Sequence, residues 1–169
     1  GNPYFIDLEE LIKKELLTKE ECEVCDWGGS ESYVDYEKIY LSRYKLLRKA
    51  YEKADLKTDP DYAEFLKQEK DWLQDYCLFM AIKNDQKGIC WIDWPEELKD
   101  RHSKAVKEAE KELAEEIEFY RFQQYCFTTQ WRKLRAYANK KDISIIGDVP
   151  IYVALDSSDA WANPEMLQF

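Results

Sequence analysis

Ile143-Ser144-Ile145-Ile146-Gly147-Asp148-Val149-Pro150 is the stretch that decides the fold class of this chain. A β-branched run, preceded by Lys140, Lys141 and Asp142 and closed by Gly147, has the near-continuous apolar character of a strand covered on both faces of a parallel sheet. Such a strand requires neighbours, and no second run of comparable strength occurs in the 169 residues. The expectation is an α/β fragment, a slice of a larger enzyme that is mostly helical with one parallel strand near its C-terminal end. The two ends of the sequence agree with a slice. Gly1-Asn2-Pro3-Tyr4 reads as a loop without an initiating methionine, and Met166, Leu167 and Phe169 form an apolar group that would normally lead into further structure.

Working back from the strand, helical periodicity dominates from Ile6 to Asn139. Leu8, Leu11, Ile12 and Leu16 recur at the spacing of one helix face, and Thr18-Lys19-Glu20-Glu21 has the form of a capping box that opens a short second helix. Gly28-Gly29-Ser30 is a loop. From Asp35 the set Ile39, Tyr40, Leu46, Leu47, Ala50, Tyr51 and Ala54 predicts a helix that ends before Thr58-Asp59-Pro60-Asp61. A further helix carries Phe65, Leu66, Trp72, Leu73, Tyr76, Phe79 and Met80 as far as Asn84, followed by a turn at Trp91 to Pro95. Lys104 to Glu118 alternates Glu and Lys so densely that it reads as exposed helix laced by charge pairs. Phe119 to Ala138 then reads as a helix buried over a broad arc.

Composition narrows the function classes. Lys+Arg 25 against Asp+Glu 35 gives a net charge of -10, which repels phosphate backbones and anionic bilayers, so no nucleic acid and no membrane is expected as partner. The longest apolar stretches fall far short of the roughly 20 residues that span a bilayer, and no basic leader with an apolar core opens the sequence. A cytoplasmic protein is expected.

The cysteines are five: Cys22, Cys25, Cys77, Cys90 and Cys126. An odd number with no export signal reads most simply as reduced thiols. Cys22-Glu23-Val24-Cys25 has the spacing of half a zinc site or of a redox pair, yet the second half of a four-ligand zinc site is missing. His102, the one histidine, lies among Asp100, Arg101, Ser103 and Lys104 and reads as a surface residue.

Chemistry in parallel α/β folds collects where loops leave the C-terminal ends of strands, which is where Asp148 would lie. Its carboxylate there could orient a catalytic arginine or a sugar hydroxyl, or it could simply cap a turn. Most of the aromatic residues lie at helical spacing and read as core. Tyr4, Tyr152 and Trp161 flank the strand-end loop or a chain end, where flat rings would suit a sugar groove.

Several segments together resemble one family. They are Gly1-Asn-Pro-Tyr-Phe-Ile-Asp-Leu8, Trp94-Pro-Glu-Glu-Leu98, Glu118-Phe-Tyr-Arg-Phe-Gln-Gln-Tyr125, Gln130-Trp131 and Ile145-Ile-Gly-Asp-Val-Pro-Ile-Tyr-Val-Ala154, continued by Asp156 to Glu165. In this order they resemble the 4-alpha-glucanotransferases, also called amylomaltase or disproportionating enzyme. The resemblance implies a (β/α)8 TIM barrel that transfers segments of α-1,4-glucan between chains by a retaining double displacement, with no cofactor and no metal. It implies that residues 1–6 are a loop after a barrel strand, 7–118 an α-helical insertion subdomain, and 119–169 a barrel helix, a barrel strand and its loop. Tyr4 matches the family tyrosine that stacks on sugar at the cleavage point, and Asp148 the aspartate that supports the catalytic centre without being its nucleophile. Asn2 and Trp161 match substrate-facing loop positions. The family's nucleophile, acid/base glutamate and transition-state-stabilising aspartate would all follow Phe169, so this chain alone is expected to be inactive, with the remainder of the barrel and maltooligosaccharides as its partners. The rival reading is an autonomous acidic helical module for binding or scaffolding.

Overall fold

The structure is a computed structural model that describes residues 1–30, 32–149 and 151–166. In chain order the helices are α1 (Leu8–Lys13), α2 (Lys19–Glu23), α3 (Tyr36–Lys53), α4 (Pro60–Gln68), α5 (Lys70–Asp85), α6 (Glu96–Lys99), α7 (Ser103–Glu112), α8 (Ala114–Lys140) and α9 (Ser158–Ala162). Short 3-10 turns lie at Pro3–Phe5, Trp91–Asp93 and Pro164–Met166. Side chains close the helix starts: Asp7 Oδ1 accepts from Glu9 N on α1, and Asp35 Oδ1 from Lys38 N on α3. On α2, Thr18 and Glu21 exchange both bonds of a capping box. Past α5 the chain reverses at Gly88, whose φ of 80° suits a residue without Cβ and whose N–H donates to Lys83 O at 2.8 Å.

The chain forms two compact units, Gly1–Ala63 with Phe122–Ser144, and Glu64–Arg121 with Ile145–Phe169. In the first, Ile6, Leu11, Leu17, Leu46, Leu47 and Ala50 are buried, as are Phe122, Tyr125 and Cys126 of α8. The Tyr62 and Tyr125 rings meet edge to face at 5.2 Å, and Tyr51 lies 5.8 Å from Phe122. Tyr125 also donates its hydroxyl to Asp59 Oδ2 at 2.9 Å.

In the second unit, α5 buries Leu73, Cys77, Leu78, Phe79, Ala81 and Ile82, the face on which α9 packs. Trp91 and Trp94 are buried there as well, and Trp91 Nε1 donates to Leu155 O at 2.7 Å. An ion pair of 2.6 Å joins Lys83 to Asp156.

Four sequence expectations are revised. The helix expected to run from Phe65 to Asn84 is two, α4 and α5, broken at Glu69. The helix expected from Phe119 begins at Ala114, and its apolar arc divides: Phe119, Tyr120, Phe122 and Tyr125 are buried, whereas Leu134 and Tyr137 are more than half exposed. Among the described residues none is in a strand, and Ile143 to Val149 runs unpaired with Ile146 93% exposed. A strand exists only through its ladder, so a run that needs parallel neighbours stays open without them. Finally, Trp161, expected at a loop by the cleft, is fully buried. Pro150, Leu167 and Phe169 lie outside the described residues. Among those described, no helix is long and apolar enough to cross a membrane.

Candidate functional site

The Asn2–Tyr4 segment is a turn held from several sides. Asn2 Oδ1 accepts from Tyr4 N at 2.9 Å, Pro3 opens the 3-10 turn, and Ile6 N closes it on Pro3 O at 3.2 Å. From α3, Arg43 Nη1 donates to Ile6 O at 2.5 Å. From α8, Gln124 Nε2 donates to Gly1 O at 2.9 Å while its Oε1 accepts from Gly1 N. One turn and a half further along, Gln130 brackets Asp7: its Oε1 accepts from Asp7 N at 2.7 Å, and its Nε2 donates to Asp7 O at 3.0 Å. Both elements that carry these side chains are long helices, so the turn sits on rigid supports.

Around it lies an aromatic group. Tyr4 is half-buried with its ring 6.4 Å from Tyr36, and Tyr40 and Tyr44 stand 4.5 Å apart on α3. Burial pushes the Tyr44 hydroxyl up to about 12. Arg43 lies over the Trp27 ring at 5.8 Å; burial lowers its pKa, and the Asp7 charge opposes that shift. Phe5, Phe127, Trp131 and Leu134 line an open, mainly apolar cavity of about 720 Å³.

In the other unit, Asp148 is exposed and its Oδ1 accepts from the N–H of the next residue, Val149, at 2.9 Å. Tyr152 is exposed on the same segment. Trp161 is enclosed instead: its ring meets Trp94 edge to face at 5.6 Å, and Nε1 donates to Leu98 O at 3.0 Å. A ring enclosed in this way offers no face to a sugar. The structure thus brings Asn2 and Tyr4 together in one turn, and places Asp148 and Trp161 on the other unit.

Sequence reasoning passed over Arg43, Gln124 and Gln130 as supports of the Asn2–Tyr4 turn. A signal was present. Gln123 and Gln124 sit between the apolar Phe122 and Tyr125 of α8, and a buried amide calls for a defined partner. Gln124 has its partner in Gly1, whereas the Gln123 amide is buried with none among the described residues. Among the described residues no three His, Cys, Asp or Glu side chains gather as a metal site.

The family profile described as 4-alpha-glucanotransferase matches residues 1–169. The 4-alpha-glucanotransferase of Clostridium butyricum is 45% identical over 166 residues, which are 98% of this chain and 34% of that protein. The enzyme of the same name from Thermus thermophilus is 41% identical over 169 residues, covering 98% of this chain and 33% of the relative. Among solved structures, the amylomaltase from Streptococcus agalactiae in complex with acarbose superposes with a TM-score of 0.90 at 33% identity, over 98% of this chain and 34% of that one. The chain therefore spans about a third of the length of the relatives it matches. With a profile match over its whole length and relatives of this similarity, the chain belongs to the 4-alpha-glucanotransferase family.

Proposed function

We propose that this chain is part of an enzyme that transfers α-1,4-glucan segments from one chain to another, by a double displacement that keeps the anomeric configuration. The observation that carries the reading is the Asn2–Tyr4 turn, clamped by Arg43, Gln124 and Gln130, because a sugar-stacking tyrosine must be held in place by its surroundings to be useful. Tyr4 would stack on the sugar at the cleavage point, with Asn2 in the same substrate-facing turn. Asp148 would support the catalytic centre from its loop, and Trp161, being buried, would act by fixing the segment on which it sits.

In the whole protein residues 1–6 follow a barrel strand, 7–118 form the helical insertion, and 119–169 supply a barrel helix, strand and loop. The run Ile143 to Val149 would gain its ladder partners from the remainder of a (β/α)8 barrel. That remainder would also supply the nucleophilic aspartate and the acid/base glutamate. A sugar hydroxyl takes the place of water as acceptor, so maltooligosaccharides are both donor and product, and the chemistry takes place in the cytoplasm.

The test is disproportionation of maltotriose. The full-length protein is expected to release glucose together with longer maltooligosaccharides, and the 169-residue chain alone to release neither. Turnover by the isolated chain would remove the assignment of the nucleophile and the acid/base to the remainder of the protein. Absence of longer products from the full-length protein would remove the transferase reading itself.

A further inference from the structure

Cys22 and Cys25 lie outside the Asn2–Tyr4 turn, and the fold brings them into one turn of their own. Cys22 lies in the last turn of α2 and Val24 is still right-handed helical, so Cys25 N reaches back to Cys22 O at 3.4 Å. Trp27 Nε1 donates to the same carbonyl at 2.9 Å and fixes the turn from outside. Residues three apart in such a turn have Cα atoms within about 7 Å, and a disulfide spans roughly 4.4–6.8 Å. Neither thiol is bonded to another cysteine, and both are partly accessible.

The remaining thiols contrast with this pair. Cys77 and Cys126 are buried, and burial pushes each up to about 12, so they hold their protons. Cys90 is partly accessible but separate in sequence from any other cysteine.

The two members of the pair are also unequal. Cys22 lines an open cavity of about 500 Å³ together with Trp27, the cations Lys19 and Arg43, and the carboxylates Asp7, Glu9 and Glu23, so a small reagent can reach its thiol. Cys25 is turned inward, its Sγ donating to Glu21 O at 3.4 Å.

We propose that Cys22 and Cys25 form a dithiol site that low-molecular-weight disulfides of the glutathione type oxidise reversibly to an intramolecular disulfide. Cys22 Sγ, as thiolate, attacks one sulfur of the reagent; a protein–reagent S–S bond forms, the reagent S–S bond breaks, and one reagent thiol leaves with a proton. Cys25 Sγ then attacks Cys22 Sγ, forming the Cys22–Cys25 bond and expelling the second reagent thiol with the second proton. Two protein thiols lose two electrons, and the reagent disulfide gains them as two thiols. Burial and the neighbouring Cys25 raise the Cys22 thiol, which favours exchange at mildly alkaline over acid pH.

The experiment incubates the full-length protein with oxidised glutathione and weighs the peptide that contains both cysteines. That peptide is expected to lose two hydrogens and to retain no glutathione, and a dithiol reductant, itself oxidised to a disulfide, restores both thiols. In Cys25→Ser one glutathione stays on Cys22, whereas in Cys22→Ser the reaction at Cys25 slows by about tenfold or more. A glutathione lodged stably on the wild-type pair, or a pair that stays reduced while Cys90 reacts, overturns the proposal. Modification of Cys77 or Cys126 at the same rate overturns it too, because the selectivity rests on the folded turn and on their burial.

Discussion

The guanidinium of Arg101 lies 4.1 Å from the centre of the Trp161 indole, while its Nη2 donates to Asp75 Oδ1 at 2.6 Å. Arg101 thereby ties α9, through its buried tryptophan, to α5. One guanidinium thus makes both a cation–π contact and a charge-assisted bond, a pair of interactions that a lysine does not reproduce with the same reach. Trp161→Ala is therefore expected to destabilise its unit by about 3–5 kcal/mol, the range for deleting a buried tryptophan, and Arg101→Lys by about 1–2 kcal/mol. Urea unfolding followed by tryptophan fluorescence measures both. A Trp161→Ala chain as stable as wild type would mean that the indole has a role other than packing.

Glu21 gives a pH prediction. The Thr18 backbone N–H and the Lys53 ammonium, with a further contribution from Lys49, hold its carboxyl at about 2, below the ordinary 4.5. A depressed folded pKa means that the ionised form is favoured by folding, so its contribution is complete above about pH 4.5 and fades as pH falls towards 2. Glu21→Gln should lower the unfolding midpoint at neutral pH, and the gap from wild type should close as the medium is acidified through that window. A gap that is constant with pH would assign the effect of the substitution to the capping geometry and not to the charge.

Gln130, half-buried on α8, is expected to matter because its amide satisfies both the N–H and the C=O of Asp7. Gln130→Leu removes two bonds at about 1 kcal/mol each and frees the segment that follows Tyr4. In the full-length protein the expected result is a raised KM for maltotriose with a smaller change in kcat, since the loss is of positioning. An unchanged KM would show that the turn holds without this bracket.

How much of this was legible in the sequence differs from element to element. The Thr18–Glu21 capping box and the span of α3 were, because both are set by neighbours within a few residues. The break at Glu69 was not: no Gly or Pro marks it, and the apolar positions on either side continue at helical spacing. Leu134 and Tyr137 were read as core because periodicity reports which face is apolar and not whether anything covers it. Ile143 to Ile146 is likewise open among the described residues, since the ladder of a strand depends on partners far away in sequence. At the candidate site, Tyr4 stood out as a ring near a chain end and Asn2 was reached through family resemblance, whereas the support from Arg43 becomes visible only once α3 is folded against the turn.

Tyr4 and Asp148 carry the activity prediction. A tyrosine that stacks on a sugar acts through its ring, so in the full-length protein Tyr4→Phe should keep most of its kcat/KM, while Tyr4→Ala should lose about tenfold or more, equivalent to roughly 1.4 kcal/mol or above in transition-state binding. Asp148→Asn keeps the shape and the Val149 N–H bond but removes the charge. A carboxylate that supports the catalytic centre should therefore lose kcat with KM little altered, and a carboxylate that only caps its turn should lose neither. Steady-state disproportionation of maltotriose separates these outcomes. Equal activity of Tyr4→Ala and wild type would dismiss the stacking role, and full activity of Asp148→Asn would leave that residue as a turn cap.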